Sequence, residues 1–184
     1  HFIYEIKLFS LTMLNSKIAA FDYGSETNIP PKINEDQLKK NNLKMSASEM
    51  MCFASLFGLM VGHLVPENNT YWQLYLTLCK ILDIILDKSV QPQYEQLLKS
   101  LVYEHHYIYT VLLKQTLKPK HHNMIHYPLL VRMVGPLVHI WSMRFESKHR
   151  PFKITANISC SKKNICLTLG IQNQLQLCHK LICN

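Results

Sequence analysis

Acidic residues almost disappear from the second half of this 184-residue chain. Between His105 and Asn184 there are eleven Lys or Arg residues and a single carboxylate, Glu146. The first 104 residues carry nine Lys or Arg residues against eleven Asp or Glu residues, so the overall charge of +8 comes from the C-terminal half. A surface this basic is typical of a protein that binds a polyanion.

Glycine is also scarce. With five glycines and 48% hydrophobic residues, the chain is neither disordered nor collagen-like, and its length allows one domain with a buried core. It contains no glycine-rich phosphate loop, no Gly-x-Ser-x-Gly elbow and no His-Glu-x-x-His motif. No signal peptide is readable. The first residue is His1 rather than Met, so we expect a piece of a longer protein.

Long hydrophobic runs are missing as well. The longest apolar stretch, Met50–Val65, is interrupted by Gly58, Gly62 and His63 and is short for a membrane span. We therefore expect a buried helix and no membrane insertion.

The cysteine spacings do not indicate a disulfide framework or a common metal motif. Two cysteines lie within apolar helical patterns, where a free thiol behaves as a small hydrophobic group. The other four cluster near the C-terminus with spacings unlike those of zinc fingers or thioredoxins. We expect reduced, intracellular thiols at all six positions: Cys52, Cys79, Cys160, Cys166, Cys178 and Cys183.

The hydrophobic periodicity predicts a mainly α-helical protein, organised as a helical bundle. Residues 1–42 form an N-terminal piece with a polar connector, and residues 43–184 form a helical domain with a basic C-terminal half. A capping-box pattern over Ser46–Glu49 marks the start of the first long helix. The predicted helices are Ser46–Leu64, Thr70–Lys88, Pro92–Thr116, two short segments broken by Pro119, Pro128 and Gly135-Pro136, then Leu137–His149 and Asn164–Ile182.

The densest group of chemical signals lies between Lys118 and Lys153. It contains a His-x-x-x-His-Tyr-Pro segment at 122–128, a Gly-Pro-Leu turn at 135–137 and an Arg-Phe-Glu-x-x-His segment at 144–149. Preceded by the Ser-Ala-Ser-Glu helix start and a tryptophan helix, this order resembles the C-terminal region of CACTA-like cut-and-paste transposases and proteins derived from them. It is also similar to the distal end of the V(D)J recombinase catalytic core.

The resemblance implies a role for the solitary carboxylate. In those enzymes a glutamate at the position of Glu146 is the third acid of an Asp-Asp-Glu triad on an RNase H-like fold. That triad holds two Mg²⁺ or Mn²⁺ ions for phosphodiester chemistry, for which oxygen ligands are suited. The DNA backbone would be held by the basic group Arg144, Lys148, His149, Arg150 and Lys153, and the protein would be nuclear. From the residues alone, an ion pair between Glu146 and a neighbouring Arg or Lys remains the alternative.

A second implication concerns histidines. In the V(D)J recombinase, two histidines five residues apart complete a structural zinc site, and His121 and His126 have that spacing here. Zinc needs four ligands of this kind, and the sequence supplies only half of them in the expected form. In the recombinase the other two ligands are a cysteine pair from earlier in the chain, so Cys160 and Cys166 are candidates that the resemblance itself does not imply. The alternative is that the histidines are ordinary surface and helix-cap residues near a basic patch.

The first two acids of the triad have no clear candidates. Asp22, Asp36, Asp83 and Asp87 fall in the connector or in predicted helices, so the RNase H-like sheet is not encoded in this chain. We therefore expect a fragment of a transposon-encoded, transposase-like protein that acts on DNA, assembles as a homo-oligomer, and is inactive alone. The alternative is a non-catalytic nucleic-acid-binding or protein-interaction module from a decayed or domesticated transposon.

Overall fold

The computed structural model describes residues 1–159 and 163–182, except for the side chains of residues 143–148. All regular structure in these residues is helical, and no strand occurs among them, so the prediction of a mainly α protein is confirmed. Eight α-helices are present in the described ranges: α1 Leu11–Ala20, α2 Glu35–Lys39, α3 Ala47–Val61, α4 Thr70–Leu86, α5 Tyr94–Tyr107, α6 Pro119–Val134, α7 Ser142–Ile158 and α8 Ile165–Ile182.

Contacts divide the chain into two compact units, His1–Val138 and His139–Asn184. The first contains α1 to α6 and two hydrophobic cores. The second contains α7 and α8, which contact each other. The division predicted from the sequence, at residues 42 and 43, lies inside the first unit.

The N-terminal segment packs onto the first core because its connector is held by a side-chain amide. Asn15 of α1 donates its Nδ2 hydrogen to the Ile33 carbonyl and accepts the Ile33 N–H at Oδ1, both at 2.8 Å. Ile33 is thereby buried with Leu14, Ile18 and Phe53. The connector is polar along most of its length, but Ile33 anchors it, and Phe21, Tyr23 and Leu38 pack against the same core.

The aromatic residues of α4 hold α3 close. The Tyr75 hydroxyl donates to the Ala54 carbonyl at 2.9 Å and accepts the Gly58 N–H at 2.7 Å. A side chain at Gly58 would meet this hydroxyl at 3.1 Å, and one at Gly62 would meet the Trp72 ring at 3.2 Å. The two glycines thus allow the approach of bulky aromatic rings to the α3 backbone.

The segment 47–64 is, within the described ranges, the one helical stretch long and apolar enough to cross a membrane by length and composition. Phe53, Met60 and Val61 of this stretch are nevertheless buried in the first core, with Trp72. Its start is confirmed as a capping box in which Ser46 and Glu49 exchange backbone and side-chain hydrogen bonds.

Helices α4, α5 and α6 form the second core. Ile81 of α4, Leu98 of α5 and Val131 of α6 are almost fully buried in it. The predicted break at Pro128 is wrong, because α6 runs without interruption from Pro119 to Val134. Pro128 is buried and has no N–H to donate to the helix. The packing of α6 on α5 offsets the free-energy cost of that lost hydrogen bond. Gly135, with a positive φ of 77°, ends the helix as expected.

Two further helix boundaries differ from the prediction. The third long helix leaves α geometry after Tyr107 and continues as a π-helix over Ile108–Leu112. The helix predicted over 137–149 begins later, at Ser142, and continues through Pro151 to Ile158. The hydrophobic pattern did not reveal the π-helix. The second difference arises because a proline usually ends a helix, whereas Pro151 lies inside α7.

We expect Tyr75→Phe to lower the free energy of unfolding by about 1–2 kcal/mol, because it removes one hydroxyl that hydrogen-bonds both a partly buried N–H and a partly buried carbonyl. Urea unfolding followed by circular dichroism measures this. Tyr103→Phe is the matched control, since Tyr103 is 73% exposed. Equal stability of the two variants would contradict a structural role for the Tyr75 hydroxyl.

Candidate nucleic-acid interface

Helix α7 presents part of the predicted DNA-contacting group to solvent. Arg150 and Lys153 are exposed and three residues apart, so they lie on one face of the helix, and His149 is exposed beside them. No ion pair within the described residues involves Arg150 or Lys153. With respect to the described side chains, both cations are open to an external anion.

The remaining members of that group are Arg144 and Lys148, and their side chains lie outside the described residues. The same holds for Glu146, whose predicted roles as metal ligand or ion-pair partner therefore stay predictions. Its backbone belongs to α7, four residues before Arg150, so the two positions share one face of the helix.

The aspartates of the first unit serve local structure where their contacts are defined. Asp87 accepts hydrogen bonds from the Ser89 N–H at 2.9 Å and the Tyr94 hydroxyl at 2.8 Å. These bonds, that from the Ser89 backbone first, lower the pKa of Asp87. Asp22 accepts the Gly24 N–H at 2.9 Å in a turn. Within the described ranges, no three His, Cys, Asp or Glu residues are placed to hold a metal ion.

A histidine cluster joins α5 to α6. The ring centroids of His105, His106 and His121 are 5.7–5.8 Å apart from one another, and Tyr109 lies 4.5 Å from His121. His105 is 5% exposed, and its Nδ1 atom has no hydrogen-bond partner in the described chain. The sequence showed His105-His106 as a pair on a helical face but gave no sign that His121 would meet it.

Burial gives this cluster unusual acid–base properties. It lowers the pKa of His105 to about 4, and the neighbouring His106 and His121 rings add to the effect. Burial also lowers the pKa of His106, with a further contribution from His121. His105 is therefore neutral near pH 7, as a buried imidazole between two others must be.

The two histidines predicted to share a zinc ion have different neighbours. His121 contacts the α5 histidines, and its Nδ1 atom accepts the Lys118 N–H at 3.0 Å, which closes the first turn of α6. His126 instead lies beside His122, with 3.2 Å between their Nε2 atoms. Cys166 is an exposed free thiol, and Cys160 lies outside the described residues. The defined contacts of His121 and His126 are thus with different partners, and a zinc ion shared by the two stays a prediction.

A half-open cavity of about 440 Å³ lies between α5 and α6, and nothing in the sequence predicted it. Val102, Ile125 and Pro128 supply apolar wall, while Lys99 and His106 supply polar groups. Its volume falls within the range of small-molecule sites. Its wall combines residues of two helices, so no single segment of the sequence predicts the cavity.

Comparison with known proteins adds no relative to this description. No family model matches the chain, and neither a curated protein nor a solved structure matches it. Any function must therefore be argued from the residues and their arrangement.

We expect the first unit to lose stability as the pH falls from 7 to 5. The folded-state pKa of His105 is lowered to about 4 from an ordinary value of 6.5. Below pH 6.5 the unfolded chain therefore binds a proton at His105 that the folded chain does not bind, so acid favours unfolding. Above pH 6.5 both states are neutral at His105 and this loss of stability is absent. The expected loss is about 1–2 kcal/mol. Urea unfolding at several pH values measures it. His105→Gln should flatten this dependence, whereas the exposed control His122→Gln should preserve it. An unchanged slope in His105→Gln would refute the assignment.

Proposed function

We propose that this chain is a fragment of a transposon-encoded, transposase-like protein whose basic C-terminal half contacts DNA. The observation that carries the DNA contact is the charge distribution, eleven Lys or Arg residues against one carboxylate after Glu104. The cations Arg150 and Lys153 support it, because both are exposed on one face of α7 and neither is in an ion pair with a described side chain. The wider transposase assignment rests on the motif order from Ser46 to Lys153.

Electrostatics sets the expected character of the binding. Each phosphate neutralised by a Lys or Arg releases condensed counterions, which gives affinity without reading the base sequence. Backbone contacts of this kind position a protein on DNA, whereas base contacts specify the sequence. We therefore propose non-specific, salt-sensitive binding as the activity of this chain.

Phosphodiester chemistry would belong to a longer protein. A two-metal site needs several carboxylates around two ions, and the described carboxylates do not assemble into one. Asp87 is already engaged by Ser89 and Tyr94. In our proposal Glu146 contributes the third acidic position only when a sheet bearing the other two is present. We propose no catalytic step for the chain alone.

A non-catalytic interaction module is the second candidate, and α8 favours it. This helix has no buried residue, and Leu167, Ile171, Leu175 and Ile182 on it are 52–82% exposed. Spacings of four, four and seven residues place these side chains along one stripe. An exposed apolar stripe is typical of helices that bind another protein, and a decayed or domesticated transposon product would need no catalytic acids.

We expect the chain to bind duplex DNA of unrelated sequences with similar affinity, falling steeply as salt is raised. Substituting Arg144, Lys148, Arg150 and Lys153 with Gln should reduce the slope of log affinity against log salt by roughly 3–4, or about 0.9 for each lost phosphate contact. Fluorescence anisotropy with labelled duplexes at several salt concentrations measures the slope.

The matched control neutralises four exposed lysines of the first unit, Lys32, Lys40, Lys44 and Lys88, and should leave the slope nearly unchanged. Affinity that is independent of salt, or an equal loss in both quadruple variants, would refute the proposed interface. Binding of a protein partner through α8 without any DNA binding would favour the interaction module.

Glu146→Gln should bind DNA as tightly as the unmodified chain or slightly more tightly, because it removes one negative charge near the phosphates. In a longer protein that carries the other two acids, the same substitution should abolish strand cleavage, because a ligand of the divalent ions is lost. If Glu146 is only an exposed ion-pair partner, the substitution should instead cost about 0–1 kcal/mol of stability. Anisotropy and urea unfolding on this chain, together with a plasmid-nicking assay on the longer protein, distinguish these outcomes, and robust cleavage by the Gln variant of the longer protein would exclude a catalytic role.

A further inference from the structure

Helix α6 carries a pair of histidines on its solvent-exposed surface. His122 and His126 are four residues apart, so they lie one turn apart on the same side of the helix. Both are exposed, their Nε2 atoms are 3.2 Å apart, and their rings meet nearly at right angles, at 81°. The two nitrogens thus converge at a point that solvent can reach.

This separation is the one that a shared metal ion requires. Zinc binds imidazole nitrogen at about 2.0–2.1 Å with tetrahedral angles, which places two such nitrogens roughly 3.3 Å apart. We propose that His122 and His126 form a two-histidine site for a divalent ion of the zinc and copper class, bound through both Nε2 atoms. The remaining coordination positions are open to water or to a ligand from a partner.

The proton balance of binding is simple. In the metal-free pair one neutral ring donates its Nε2 hydrogen and the other accepts it. To present two lone pairs to the ion, the donor ring moves its proton to Nδ1 through solvent and becomes the other neutral tautomer. No net proton is released when two neutral rings bind the ion.

Two features define the ion that this site would accept. Imidazole is a good ligand for zinc, copper and nickel, whereas magnesium prefers oxygen, so the site selects against the ions of phosphodiester chemistry. Lys118 and Lys120, in the same part of the chain, repel a cation. Since salt screens such repulsion between exposed charges, affinity for the metal should rise with ionic strength, opposite to the behaviour expected for DNA.

The proposed site differs from the zinc pairing that the resemblance implies. That pairing joins His126 to His121, whose ring instead contacts His105, His106 and Tyr109. No residue of α7 takes part in the proposed site, so variants of this pair leave the cations of α7 in place. Success or failure of metal binding therefore leaves the proposed DNA contact untouched.

The test is titration of the whole chain with Zn²⁺ alone, followed by calorimetry, and with Cu²⁺ alone, followed by electron paramagnetic resonance. We expect one Zn²⁺ per chain at this site and a Cu²⁺ spectrum split by two nitrogens. His122→Ala and His126→Ala should each weaken Zn²⁺ binding at least about tenfold, because loss of a direct ligand should cost no less than loss of an outer-shell partner. Mg²⁺ should not compete.

Two other histidine variants make the test specific. His63→Ala removes an exposed histidine elsewhere in the same unit and should leave Zn²⁺ affinity unchanged. His121→Ala should also leave it unchanged, whereas the pairing implied by the resemblance predicts a loss for His121→Ala and none for His122→Ala. That reversed pattern, or Zn²⁺ binding unaffected by both His122→Ala and His126→Ala, would overturn the proposal. So would an absence of Zn²⁺ binding, which would leave the pair as a hydrogen bond. Circular dichroism checks that each exposed-site variant remains folded.

Discussion

The contact between α3 and α4 organises the first core, because it lets the largest side chains of the chain approach a helix backbone directly. The Tyr75 hydroxyl bridges the Ala54 carbonyl and the Gly58 N–H, which belong to one turn of α3. Trp72 packs over Gly62, the residue that directly follows α3. Burial of these rings contributes to the hydrophobic stabilisation of this core, while the hydroxyl is kept hydrogen-bonded.

In the α5–α6 pair, the packing of the second core maintains two locally unfavourable features. The pair buries Pro128 within a continuous helix and places His105 where its charged form is disfavoured. Both features cost free energy locally and are maintained by the packing of Leu98 and Val131 in the second core. The same pair forms the half-open cavity and presents His122 and His126 on its outer surface. Much of the unusual chemistry of the first unit therefore lies on one pair of helices.

The two units differ in their electrostatic and hydrophobic character. The first holds both defined cores and most of the carboxylates, several of them engaged in caps and turns, as Asp87 and Glu49 are. The second has the exposed cations of α7 and the exposed apolar stripe of α8. Such a surface is suited to binding other molecules, and the DNA and protein-interaction proposals both rest on it.

The sequence by itself determined the helical class, the start of α3 at Ser46, the position of α4 and the end of α6 at Gly135, because capping, periodicity and turn chemistry act over a few residues. It also determined the charge asymmetry. Tertiary structure alone decided that α6 continues through Pro128, that Ile33 anchors the connector, and that His121 meets α5 while His126 meets His122. These outcomes depend on packing between residues distant in sequence and on the rotation of each helix, neither of which local patterns encode.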